Sequence, residues 1–261
     1  MSRVLAANWK MNLTVAEART LYAAIADARK LNPGVTMIVF PPLTALTPLA
    51  QGRAAGEPAL GAQNCHAEPR GAFTGEISAE QVRDAGVEYV LVGHSERRRL
   101  FCENDLIARA KLGAAWRAGL TPMLCIGETL AERERRETQE VLARQLTRAL
   151  EGAPARAPLL VAYEPVWAIG TGIVATPEQV AETHGWVQAE LRKLGRLGSH
   201  TSTPVLYGGS VDPKNAGPLA ALPEVDGFLV GGASLDAPAF LAIAGALEAA
   251  EAGSSGGGRR E

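Results

Sequence analysis

A few polar residues stand where short apolar runs end, and their types suit proton transfer. Glu164 follows the apolar run Leu159–Tyr163 and precedes the rigid Pro165. A carboxylate placed there can act as a general base if partial desolvation raises its pKa. His94 and Glu96 follow Tyr89–Gly93, and His94 is one of four histidines in the chain. Asn8 and Lys10 close the first run, with Lys10 between Trp9 and Met11. Lys10 is open to three readings: a charge for a phosphate, a Schiff-base nucleophile, or a solvated side chain.

Glycine pairs add a different chemistry. Gly208-Gly209 precede Ser210 after one apolar run, and Gly231-Gly232 follow the last one. Without Cβ atoms, their backbone N–H groups can come close to an anion. Ala168–Gly172 is a run of mostly small residues between Pro165-Val166-Trp167 and Ile173-Val174-Ala175. Small residues flanked by stiffer ones are what a hinged lid needs.

Residues this far apart in sequence need a fold that gathers them. The apolar runs Val4–Asn8, Thr36–Phe40, Leu60–Asn64, Tyr89–Gly93, Pro122–Ile126, Leu159–Tyr163, Val205–Tyr207 and Gly227–Val230 read as strands covered on both faces. Helical segments follow them. Thr14 with Glu17, Ser78 with Gln81 and Thr176 with Gln179 have the capping-box spacing. Pro177 and Pro213 fit the first helical position after Thr176 and Asp212. The units average about 30 residues, the length of a βαβ element. The even series predicts a single α/β domain over residues 1–252, closed as an eight-stranded parallel (β/α)8 barrel. An open doubly wound sheet is the competing closure. Residues 253–261, Gly/Ser-rich and ending in Arg259-Arg260-Glu261, read as a flexible tail. In a barrel all the residues named above meet at the rim formed by the C-terminal strand ends.

Composition narrows the classes. The 261 residues are 47% hydrophobic and 21% charged, with a net charge of −2, so the chain lacks the broad cationic footprint of a nucleic-acid binder. No apolar run reaches the length of a membrane-spanning helix, and Val4–Ala7 is too short for a signal-peptide core. Cys65, Cys102 and Cys125 form an odd, sparse set, which points away from a disulfide framework and toward a reducing, cytoplasmic setting. No Cys/His spacing suggests a metal site. Gly170–Ala175 matches a loose dinucleotide fingerprint, but Pro165 intervenes and the helix signal comes only at Thr176. Gly253–Gly257 matches a nucleophile-elbow pattern in a segment that cannot form a strand–turn–helix.

The ordered segments Asn8-Trp9-Lys10-Met11-Asn12, Gly61-Ala62-Gln63-Asn64, Gly71–Glu76, Gly93–Arg98, Cys125–Glu128, Ala162–Gly172, Tyr207–Val211 and Leu229–Leu235 resemble the triosephosphate isomerase family. They span residues 4 to about 250, and the ordered set is far more specific than any one segment. The resemblance implies interconversion of dihydroxyacetone phosphate and glyceraldehyde 3-phosphate, a step of glycolysis and gluconeogenesis, without metal or organic cofactor. It implies Glu164 as proton shuttle, neutral His94 as electrophile, and Asn8 with Lys10 as stabilisers of negative charge. Glu96 would support Lys10 and His94. Lys10, Gly170, Ser210, Gly231 and Gly232 would hold the phosphate under a lid spanning 165–175. The resemblance also implies a homodimer in which Phe73 and Thr74 insert into the partner subunit, bringing Thr74 near Asn8 and His94 there.

Three departures from the family pattern stand out. Ile173-Val174 replace the common Lys-Thr at the far end of the lid, Cys102 stands where glycine is usual, and the tail lies beyond the pattern. Two other functions fit parts of the pattern. A Schiff-base aldolase using Lys10 lacks a second lysine to lower its pKa. A silent sugar-phosphate-binding barrel would not be expected to keep both Glu164 and His94.

Overall fold

A computed structural model describes residues 2–29, 34–170, 173–198 and 201–256. The strands are β1 (Arg3–Asn8), β2 (Val35–Phe40), β3 (Ala59–Ala62), β4 (Tyr89–Val92), β5 (Thr121–Ile126), β6 (Leu160–Tyr163), β7 (Val205–Tyr207) and β8 (Gly227–Val230). Each pairs in parallel with its sequence neighbours, and β8 returns to β1, so the sheet closes into a barrel. The closed order rejects the open doubly wound alternative.

The strands read as continuous apolar runs because both faces are covered. Val4, Ala6, Ile38, Phe40, Leu91, Met123, Cys125, Leu160, Ala162, Leu206 and Leu229 fill the barrel interior. Alternate residues such as Leu5, Ala7, Val39, Val90, Leu124 and Val161 face outward, under the helices. Phe40 occupies the interior only because Gly61 faces it, since a Cβ there would lie 2.1 Å from its ring.

The outer layer comprises α1 (Val15–Arg29), α2 (Leu43–Ala50), α3 (Ala79–Asp84), α4 (Ser95–Leu100), α5 (Asp105–Arg117), α6 (Leu130–Glu134), α7 (Thr138–Leu150), α8 (Pro177–Lys193), α9 (Ala216–Ala220) and α10 (Ala237–Gly256). The capping boxes at Ser78 and Thr176 form, and Thr14 exchanges hydrogen bonds with Glu17. Thr129 with Glu132 forms a further box that caps α6.

The boundaries depart from the sequence reading in three places. The third strand stops at Ala62, which frees Gln63 and Asn64 for side-chain work at the rim. Pro213 opens a turn rather than α9, because the Asp212 carboxylate takes the N–H groups of Lys214 and Asn215 and delays the helix to Ala216. The Ala-rich run of α10 carries the helix to Gly256, into the segment expected to be a tail from Gly253. Residues 257–261 lie outside the described residues.

Two local features give stability tests. Cys102 sits at φ +56, a left-handed conformation that favours glycine. Cys102→Gly is expected to raise unfolding stability by about 1 kcal/mol, read as a higher denaturant midpoint. His184 on α8 is fully buried between Tyr163 and Tyr207, and its Nδ1 lies 3.2 Å from the Glu224 carbonyl. Burial lowers its pKa from 6.5 to about 4. A proton then binds the unfolded chain more readily than the folded one, so this contribution is full above pH 6.5 and is lost as pH falls toward 4. Between pH 7 and pH 4 the wild type should lose about 3 kcal/mol more stability than His184→Asn, measured by urea titration at each pH. Equal losses would remove His184 from the acid response.

Candidate active site

The parallel strands bring their C-terminal ends to one rim, and a cavity of about 320 Å³ opens there. Asn8, Lys10, His94, Glu164, Gly170, Ser210, Gly231 and Gly232 all line it. Glu96 stands just outside, with its carboxylate 2.7 Å from Lys10 Nζ and 3.7 Å from His94 Nδ1. Phe73 and Thr74 lie elsewhere, on an exposed loop away from this chain's own cavity.

Each side chain is set by local structure. Asn8 ends β1, and its Oδ1 accepts from the Lys10 N–H at 3.0 Å. Lys10 itself has φ +52, an uncommon conformation for a residue with a side chain. The loop around it is held on several sides. The buried Trp9 indole donates to Ser234 O at 3.1 Å, and Gln63 Nε2 donates to the Lys10 and Phe40 carbonyls at 2.8 and 2.9 Å. A Cβ on Gly231 would lie 3.4 Å from Lys10 Cε, so the lysine stem runs against the glycine pair.

His94 precedes α4, and its Nδ1 accepts the Glu96 N–H at 3.3 Å. That bond leaves the proton of a neutral ring on Nε2. Asn8 Oδ1 is likewise committed as an acceptor, so Asn8 Nδ2 is a donor. The two nitrogens stand 3.2 Å apart. Two donors cannot satisfy one another, so both require an acceptor in the cavity.

Glu164 closes β6 and is 2% exposed, which would disfavour its charge in isolation. Its Oε2 accepts the Ser95 N–H at 2.9 Å and its Oε1 lies 3.0 Å from His94 Nε2. Burial raises its pKa, but His94, the Ser95 N–H and Lys10 outweigh that and hold it below the usual carboxylate range. Burial lowers the His94 pKa, yet the Glu164 carboxylate more than offsets this and holds it above its ordinary value. The expected neutral His94 therefore requires something to come between it and Glu164. Burial and the helix N–H then govern the ring.

Ser95, Gln63 and Gly208 take roles that the sequence pattern does not reveal. Ser95 contributes through its backbone, which no side-chain pattern reveals. Gln63 belongs to a quoted segment, but its double bond to the lysine loop depends on where β3 ends. Gly208 is needed for room, because a Cβ there would meet Glu164 Cγ at 2.9 Å. Of the lid span, Pro165–Gly170 and Ile173–Ala175 are described, while Thr171 and Gly172 lie outside the described residues. Among the described residues, no group of three or more His, Cys, Asp or Glu could hold a metal ion.

The triosephosphate isomerase family model matches residues 3–247. A triosephosphate isomerase of Bdellovibrio bacteriovorus is 48% identical over 244 residues, covering 94% of this chain and 99% of that protein. One from Chlamydia trachomatis serovar D is 46% identical over 237 residues, covering 90% and 86%. The crystal structure of triosephosphate isomerase from Bartonella henselae superposes with a TM-score of 0.82 at 40% identity, covering 94% of this chain and 99% of that one. With a closed barrel, a family model matched over residues 3–247 and relatives aligned along most of their length, the chain belongs to the triosephosphate isomerase family.

Proposed function

We propose that this protein interconverts dihydroxyacetone phosphate and D-glyceraldehyde 3-phosphate through an enediolate. The observation that carries the reading is the convergence of one buried carboxylate and two committed donors on one cavity. Substrate enters between Glu164 and His94. Glu164 removes a proton from the carbon beside the carbonyl and returns it to the neighbouring carbon. The donors at Asn8 Nδ2 and His94 Nε2 meet the oxygens on which charge develops, and Lys10 adds a positive charge beside them. Proton transfer within one substrate needs no electron acceptor.

The phosphate lies at Gly170, Ser210, Gly231 and Gly232, with the Lys10 stem against Gly231. Glu96 orients Lys10 through their 2.7 Å contact. The lid over 165–175 closes on this end and keeps water from the enediolate. Closure also makes the Glu164 charge and the His94 N–H dipole act in a drier medium, where each is worth more.

The protein works as a homodimer on this reading. Glu68–Glu76 is exposed throughout, yet it carries Phe73, 42% exposed with its ring stacked on His66 at 4.1 Å. Met11, on the catalytic loop, is 96% exposed. Apolar groups displayed beside a rim fit a two-fold contact in which each loop inserts into the other subunit and places Thr74 near Asn8 and His94 there. A cytoplasmic setting accords with three unpaired cysteines. No helix among the described residues is long and apolar enough to cross a membrane.

Isomerisation of glyceraldehyde 3-phosphate in a coupled assay tests the activity directly. Glu164→Gln is expected to lower kcat by roughly 10²–10⁴ or more, the usual worth of a positioned base, and unchanged turnover would remove Glu164 from that role. Phe73→Ser is expected to shift the protein from dimer to monomer in sedimentation and to lower activity with it. A dimer that persists with full activity would argue against insertion of this loop.

A further inference from the structure

Gln145 is a buried amide on α7 that the proposed reaction does not use. The buried face of that helix also carries Val141, Leu142, Leu146 and Ala149, all apolar. A primary amide set among them costs free energy unless its polar atoms are bonded. Both ends are bonded, and to a single residue. Gln145 Oε1 accepts the Gly127 N–H at 2.8 Å, and Gln145 Nε2 donates to the Gly127 carbonyl at 3.0 Å. The side chain offers Gly127 the same donor and acceptor that a neighbouring strand would.

Gly127 needs that substitute because the ladder ends beside it. β5 pairs with β6 as far as Ile126 and Tyr163, and the Glu164 N–H makes one further bond, to the Ile126 carbonyl at 2.7 Å. Gly127 comes next, and its backbone lies directly against Glu164: a Cβ on it would stand 1.7 Å from the Glu164 carbonyl oxygen. Packing alone does not hold this glycine. It has no side chain, and a cavity of about 510 Å³ opens beside it, lined by Ser95, Gly127, Gln145 and Val166 among others. The two amide bonds fix Gly127, and through it the backbone that carries the base.

Resting on the isomerase reading above, we propose that Gln145 is a positioning residue for Glu164, acting through Gly127. It touches no substrate. Without its amide, the Gly127 N–H and carbonyl must find other partners, and the backbone turns to reach them. The Glu164 carbonyl rests on that backbone and moves with it, so the carboxylate leaves its line to the reacting carbon. Ser210, Gly231 and Gly232, which take the phosphate on the proposed reading, follow β7 and β8 and are not carried by this corner. Phosphate affinity is therefore a readout that the displacement leaves alone.

The test is kcat for isomerisation, per folded enzyme, together with the inhibition constant of inorganic phosphate, for the wild type, Gln145→Met and Gln145→Glu. Gln145→Met keeps the length of the side chain and removes both bonds. It should lower kcat by about tenfold to hundredfold, the cost of misplacing a base by up to about 1 Å, and leave the phosphate constant within about twofold of the wild type. A general loosening of the rim weakens both together, and that result overturns the inference, as does a folded Gln145→Met with wild-type kcat. Gln145→Glu keeps an acceptor for the Gly127 N–H and sets a second acceptor against the Gly127 carbonyl. Burial favours the neutral form of such a carboxyl, and the protonated group donates as the amide did. The kcat of Gln145→Glu relative to the wild type should climb as pH falls from about 8 to about 6. A ratio that stays level over this range overturns the inference even where Gln145→Met does not fold. A wild type that leaves glyceraldehyde 3-phosphate unchanged sinks the isomerase reading and this inference with it.

Discussion

The site depends on a buried carboxylate, Glu164, held by one backbone N–H and by side chains that also line the cavity. Taking Glu164 out of water costs several kcal/mol, and the Ser95 N–H, His94 and the nearby Lys10 offset that cost. His94 Nε2 and Asn8 Nδ2 were left as donors by bonds on their far sides. They cannot bond each other, so the loss of Glu164 as acceptor must be balanced by another oxygen. On the proposed reaction, a carbonyl compound small enough for the cavity supplies that oxygen and frees the carboxylate.

Space is controlled as tightly as charge, and glycine does most of this work. Gly127 lets the Glu164 carbonyl approach to where a Cβ would stand 1.7 Å away. Gln145 on α7 then clamps the Gly127 backbone, accepting its N–H at 2.8 Å and donating to its carbonyl at 3.0 Å. On the other side, Gly208 leaves room for the Glu164 methylene. The base is thus bounded by two residues chosen for what they lack and by a helix that fixes one of them.

Much of this was readable from the letters, for identifiable reasons. Eight apolar runs could be placed because interior and exterior faces of a barrel strand are both covered, as Leu5 and Ala6 show. Asn8, Lys10, His94 and Glu164 could be placed because parallel strands must end on one rim. The rest depended on long-range geometry. Nothing about Ser95 marks its backbone as a donor to Glu164, and nothing about Arg133 marks it as a neighbour of Trp167, which lies 34 positions later. Pro213 misled because a local rule for helix starts competes with the Asp212 turn that precedes α9. Cys102 runs the other way: its departure from the usual glycine was visible, and the positive φ supplies the physical reason.

The end of β5 explains why the lid and the base can be coordinated at all. Gly127 bears on the Glu164 backbone, while Glu128, the next residue, binds Tyr163 and Trp167 on either side of it. A shift of this corner would move the base and the lid hinge together rather than one against the other. The corner is therefore built from groups that resist shifting: a glycine clamped by a buried amide, and a carboxylate whose partners include a cation. On the proposed reaction, this corner keeps the Glu164 carboxylate facing the cavity it shares with Asn8 and His94. Positional tolerance at the base is small, since a misplacement of about 1 Å can cost 10²-fold in rate. A carboxylate that must stay within that tolerance needs a fixed corner of this kind beside it.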